Sequence, residues 1–180
     1  MTDHHAHDAE SIGVGVLTIS SSRTAETDAS GDALAAAIEA ADQTVAVRDL
    51  VADDERAIRR RVDEMVGQEG VDAVVTTGGT GLSPEDVTVE AVGPLFDREI
   101  PGFGEQFRAR SVEDIGRHGM LTRATAGVVD GVPVFCLPGS EQAASFGTEE
   151  LVLPVVGHVV GLTTGSGHEH EHDDHDGGHE

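Results

Sequence analysis

VDAVVTTGGTGLSPEDVT, residues 71–88, joins an apolar run to a glycine cluster and then to two carboxylates. Residues 71–77 are nearly continuously apolar or β-branched. That predicts a strand covered on both faces, as in a parallel sheet packed between helices. The glycines at 78, 79 and 81 leave the carboxyl end of this strand, where open α/β sheets bind ligands. Upstream, GVGVLTIS (13–20) and TVAVRDLV (44–51) predict two more strands. SGDALAAAIEAA (30–41) between them predicts a helix, with Ser30 in a capping position. DDERAIRRRVDEMVGQ (53–68) predicts a second helix, whose Ile58, Val62, Met65 and Val66 form one apolar stripe. Downstream, residues 87–96 and 101–117 look helical, with Phe103 and Phe107 on one face of the latter. TAGVVDGVPVFCLPG (125–139) predicts a hairpin turning at Asp130-Gly131. Residues 140–163 close the chain as helix, interrupted near Gly147. The expected class is α/β: a three-layer α/β/α domain with a doubly wound, mostly parallel sheet and a β-hairpin.

Glycines let the backbone take positive φ and turn successive N–H groups toward one point, which makes an anion nest. Thr77 and Thr80 can add hydroxyl donors. The alternative is a tight strand-to-helix turn with no ligand. The chain has no lysine, so a P-loop, a lysyl-adenylate and a Schiff base are all excluded. Any nucleotide must be held by backbone amides, hydroxyls, arginines and a carboxylate-bound metal. Asp53 and Asp54 end the second strand, and Asp86 follows the glycine loop by five residues. Parallel strands would bring Asp53 and Asp86 to one edge, and magnesium on a triphosphate needs only one or two protein carboxylates. Capping of the second helix is the alternative for Asp53 and Asp54, and a solvated helix start for Asp86.

The 180 residues carry a formal charge of −23. Nine of the acids lie in residues 1–11 and 165–180, leaving −14 on residues 12–164, which read as one domain. An acidic, lysine-free body suggests a halophile's cytoplasmic protein, with self-repulsion screened by salt. The same charge argues against nucleic acid as a partner. Arg59, Arg60 and Arg61 form the one basic run, and acids are interleaved with it. Cys136 stands alone, so no internal disulfide is expected. The apolar run 151–162 is too short to span a bilayer, and the amino terminus does not resemble a signal peptide. The tails 1–11 and 165–180 are expected to be disordered. Their histidines and acids could chelate a divalent metal or simply solubilise the protein.

The segments VLTISSSR (16–23), DASGDALAAAI (28–38), LVADDERAI (50–58), VVTTGGTGLSPEDVTVEAV (74–92), REIPGFGEQFR (98–108) and LPGSEQAA (137–144) resemble, in order and spacing, the molybdenum cofactor biosynthesis MoaB/Mog family. The resemblance covers residues 12–163. It implies a homotrimer or hexamer that binds molybdopterin and, in the adenylyltransferase members, transfers AMP from ATP to molybdopterin with Mg2+, releasing pyrophosphate. Other molybdenum cofactor biosynthesis proteins are implied partners. Gly78, Gly79, Thr80 and Gly81 would contact phosphate. Asp53 and Asp86 would be the catalytic, magnesium-holding carboxylates. Ser20, Asp28, Ser30 and Gly31 would line the pocket, with Glu105, after Pro101-Gly102, and Pro138-Gly139-Ser140 closing it. Asp28 could instead bond its own backbone, and Pro138-Gly139 could be only a turn. The chain departs from the family pattern at Ala52, where proline is usual, and at Ser21 and Ser140. A non-catalytic module that binds or delivers the pterin is the alternative function.

Overall fold

The computed structural model describes residues 11–165. Both expected tails fall outside this range, apart from Ser11 and Gly165. Six strands form one sheet in the order β2-β1-β3-β6-β5-β4. They are β1 (Gly13–Ile19), β2 (Thr44–Val51), β3 (Ala73–Thr77), β4 (Arg98–Glu99), β5 (Thr125–Val129) and β6 (Val132–Leu137). β2, β1, β3 and β6 run parallel, while β5 is antiparallel to both β6 and β4. The helices are α1 (Ala29–Ala40), α2 (Glu55–Val66), α3 (Thr88–Val92), α4 (Pro101–Ile115), α5 (Glu141–Gly147) and α6 (Leu153–Thr163).

Period-two alternation along the strands divides the core. Val14, Val16, Val75, Phe135 and Leu137 face one side, where they meet Leu34 and Ile38 of α1, Phe103 and Phe107 of α4, and Val156 and Val160 of α6. Leu17, Ile19, Val74 and Val134 face the other side and meet Ile58, Val62 and Met65 of α2 and Ala91 and Val92 of α3. The expected α2 stripe is thus the buried one, and burial of each such side chain stabilises the fold by about 1.5–3 kcal/mol. Phe103 meets Phe135 edge-on with ring centroids 5.2 Å apart. The hairpin turns where expected, with Asp130 at φ 48° and Gly131 at φ 83°, the backbone of a two-residue primed turn.

The structure corrects four local expectations. Asp28, not Ser30, caps α1, because its carboxylate reaches the Gly31 N–H at 3.0 Å. The helix after the glycine loop is only five residues long and tightens into a 3-10 turn at Gly93–Leu95, where Pro94 cannot donate to the helix ladder. Near Gly147 the chain does not break. It continues through a π-helical turn, Thr148–Val152, into α6. The two-residue edge strand β4 was not expected, being too short to show a period.

From β1 the chain goes outward to β2, then returns past β1 to β3, so the order reverses between β1 and β3. The carboxyl ends of these strands flank the crevice where such sheets bind ligands.

Candidate functional site

A cleft of about 780 Å³ opens at that edge. Its wall is built from the turns after all four parallel strands: Ser20 and Arg23 after β1, Asp53 after β2, Gly78–Asp86 after β3, and Pro138–Ser140 after β6.

The glycine loop forms its floor. Gly78 and Gly79 sit at φ 108° and 70°, and a Cβ on either would collide with the Ile19 carbonyl or the Thr88 hydroxyl. Every carbonyl from 78 to 81 is bound from behind. Thr88 donates through its hydroxyl to Gly78 O (2.7 Å) and through its amide to Gly79 O (3.0 Å). Arg123 donates its amide to Thr80 O and its Nε to Gly81 O, both at 2.8 Å. The N–H groups of Gly79, Thr80, Gly81 and Leu82 make no hydrogen bond among the described residues. With the carbonyls bound at the back, four successive amides remain unspent along a loop that lines the cleft, the makings of an anion nest.

The aspartate pair after β2 divides its work. Asp54 caps α2, accepting from Ala57 N–H at 2.8 Å. Asp53 lines the cleft and is held by a reciprocal pair: Ser21 N–H donates to its Oδ2 (2.7 Å), while its own N–H donates to Ser21 Oγ (3.0 Å). Ser21, a departure in sequence, therefore ties the β1 turn to the β2 turn. Asp86 lines the same cleft, its Oδ2 accepting from Ser83 N–H at 2.8 Å. The second oxygen of each carboxylate makes no hydrogen bond among the described residues, so each can offer one oxygen to a hard cation. No group of three or more His, Cys, Asp or Glu side chains stands together among the described residues.

Of the residues read from the sequence, Ser20, Asp53, Gly78, Gly79, Thr80, Gly81, Asp86, Pro138, Gly139 and Ser140 line the cleft. Ser20 Oγ accepts from the amides of Ser22 and Arg23 and so shapes its turn, and Ser140 caps α5. The others stand elsewhere. Asp28 is buried behind the wall, bound to Thr18 Oγ1 (2.7 Å) and Arg48 Nη2 (2.9 Å). Burial disfavours its charge, but the bonds from Arg48, Thr18 and Gly31 outweigh that and hold its carboxyl below the usual range. Ser30 and Gly31 are buried in the first turn of α1. The Thr77 hydroxyl is spent on Pro138 O at 2.8 Å, and that of Thr80 lies 3.4 Å from Thr122 Oγ1. Gly102 and Glu105 are exposed on α4 and do not reach the cleft, because that helix turns Phe103, Gly104 and Phe107 into the core.

Sequence reasoning missed Arg23, Leu82, Glu85, Leu121 and Thr122 on the wall and Arg123 behind it. Arg23 ends the SSSR run and was within reach of a sequence argument. Leu121 to Arg123 come from a segment some forty residues beyond the loop, which no local pattern connects to it. The Arg123 guanidinium also donates to Asp86 O (2.8 Å) and pairs with Glu90, and that bond from Arg123 lowers the Glu90 carboxyl from its usual range.

The family described as a probable molybdopterin binding domain matches residues 15–158. Molybdenum cofactor biosynthesis protein B of Bacillus subtilis is 41% identical over 159 residues, 88% of this chain and 94% of the relative. The protein of the same name from Halalkalibacterium halodurans is 38% identical over 158 residues, covering 87% and 93%. Among solved structures, a molybdenum cofactor biosynthesis protein B superposes with a TM-score of 0.83 at 40% identity, covering 86% of this chain and 97% of the other. The tungsten cofactor synthesizing protein MoaB from Pyrococcus furiosus gives 0.76 at 36% identity, covering 86% and 98%.

Proposed function

Because the chain belongs to the MoaB/Mog family of molybdenum cofactor biosynthesis proteins, we propose that it is a magnesium-dependent molybdopterin adenylyltransferase. Its pathway is molybdenum cofactor biosynthesis. In the proposed reaction an oxygen of the pterin's terminal phosphate attacks the α-phosphorus of ATP. The bond from that phosphorus to the bridging oxygen breaks, and pyrophosphate leaves.

The observation that carries this reading is the glycine loop, with its carbonyls bound from behind and four amides left for phosphate oxygens. Transfer at phosphorus is largely positioning and charge stabilisation, which fixed backbone dipoles supply without reorganising. Asp53 and Asp86 would hold the magnesium, which when bound would neutralise phosphate charge. No protein nucleophile is required, and Cys136 is unsuited to be one, since burial pushes its thiol up to about 11.

A second reading, a module that holds the pterin without catalysis, draws support from the departures from the family pattern at Ala52, Ser21 and Ser140. Incubating the protein with molybdopterin, ATP and magnesium separates the two. Pyrophosphate release supports the transferase, and pterin binding without release supports the module.

A further inference from the structure

We propose that Arg23 is the phosphate-contacting cation of the cleft, held ready by two neutral acceptors. The inference deepens the adenylyltransferase reading and rests on it for the identity of the ligand. Of the eleven arginines, six form ion pairs among the described residues: Arg48, Arg59, Arg60, Arg61, Arg110 and Arg123. Arg23 forms none, although Asp53, Glu85 and Asp86 line the same cleft. Its Nη1 donates to the buried Ser30 Oγ at 2.5 Å and its Nη2 to Gly139 O at 2.8 Å. Both acceptors are uncharged, so the guanidinium is fixed in place while its charge stays unneutralised.

Arg56, Arg98, Arg108 and Arg117 also form no ion pair among the described residues, but of these five arginines Arg23 alone lines the cleft, where an anionic ligand can meet its charge. Arg123, the other arginine near the loop, cannot serve, since its guanidinium is spent on Gly81 O, Asp86 O and Glu90. Through its bond to Gly139 O, Arg23 also bridges the turns after β1 and β6. A guanidinium fork suits two oxygens of one phosphate, and its bonds to an anion are charge-assisted. This gives Ser30 a role as a positioning residue acting through Arg23, although Ser30 itself is buried behind the wall.

The test is calorimetric titration of the full chain with magnesium pyrophosphate and, separately, with AMP as a phosphate monoester. Arg23→Gln should weaken pyrophosphate binding about 10- to 100-fold, the range for losing a hydrogen bond to a charged group. Its thermal midpoint should stay near that of the wild type. Arg23→Lys, which keeps the charge but not the fork, should lose at least severalfold, and it decides the matter if Arg23→Gln does not fold. Ser30→Ala should lose less than Arg23→Gln, because Gly139 O still holds one nitrogen. A matching loss for AMP places the contact at a monoester phosphate, while a loss confined to pyrophosphate places it at the leaving group. Wild-type affinity for both ligands in folded Arg23→Gln or Arg23→Lys overturns the proposal, as does wild-type protein that binds neither. If the wild type releases no pyrophosphate from ATP yet anion binding depends on Arg23, the transferase reading fails and this inference stands.

Discussion

Replacing Arg123 with Met should disable the glycine loop without touching the cleft. The long apolar side chain keeps much of the stem's packing but removes the Nε bond to Gly81 O and the Nη2 bond to Asp86 O, both 2.8 Å. Hydrogen bonds to charged groups contribute about 1.5–3 kcal/mol each when well buried. Both carbonyls are only partly shielded here, so water replaces part of the loss, and the pair together should cost about 1–3 kcal/mol. The ion pair with Glu90 is exposed enough to add about 0–1 kcal/mol. A chain of this size loses about 2–4 °C of melting temperature per kcal/mol. If the loop must then be ordered by its ligand, each 1.4 kcal/mol of ordering weakens anion affinity about tenfold. Hydrogen exchange at the amides of 79–82, beside a pyrophosphate titration, reads both effects. Glu90→Gln is the control and should change little, since it leaves both loop bonds intact. Wild-type affinity and unchanged exchange in Arg123→Met would refute the claim that carbonyls bound from behind are what present the amides.

Asp28→Asn should cost about 1–3 kcal/mol at neutral pH, less than a fully buried pair because Arg48 is part-exposed and keeps Asp32. The folded-state value of Asp28 is depressed, so its stabilisation is present above the unfolded value of about 3.9 and is lost as pH falls through the folded value. Thermal melts from neutral to acid pH should therefore show a shallower acid limb in Asp28→Asn than in the wild type, and equal limbs would count against the assignment. The acidic body predicts that the melting temperature rises as salt goes from about 0.01 M to about 1 M, with the Debye length shrinking from about 30 Å to about 3 Å. A flat or falling curve would remove the halophile reading. Deleting residues 166–180 should leave pterin turnover unchanged, and a large loss would give that tail a role in the reaction.

The layers of the fold were legible because period-two and helical stripes in this chain are strong. The α2 stripe and the Asp130-Gly131 turn are where the pattern put them. The floor of the cleft was legible for a similar reason, since three glycines in four residues have few uses at a strand end. What stayed hidden was whatever depends on which way a side chain turns. Asp53 and Asp54 are chemically equivalent in sequence, yet one caps a helix and the other faces the cleft. Asp28 and Ser30 sit within the family motif but point into the protein, where they anchor Arg48 and Arg23. Arg123 stabilises the loop across 42 residues of sequence, a contact that only the folded chain creates.

The central claim is most directly tested at Asp86. Asn in its place keeps an oxygen for the Ser83 N–H bond, so the loop should hold its shape while the carboxylate charge is lost. Pyrophosphate release from ATP with molybdopterin and magnesium should fall about 10²-fold or more, the range for one electrostatic group in a transition state. Molybdopterin affinity, titrated on the same variant, should change little. Asp53→Asn should act in the same direction, and the double variant should lose less than the product of the two, because one metal is shared. Undiminished pyrophosphate release in Asp86→Asn, with the fold intact, would contradict the account.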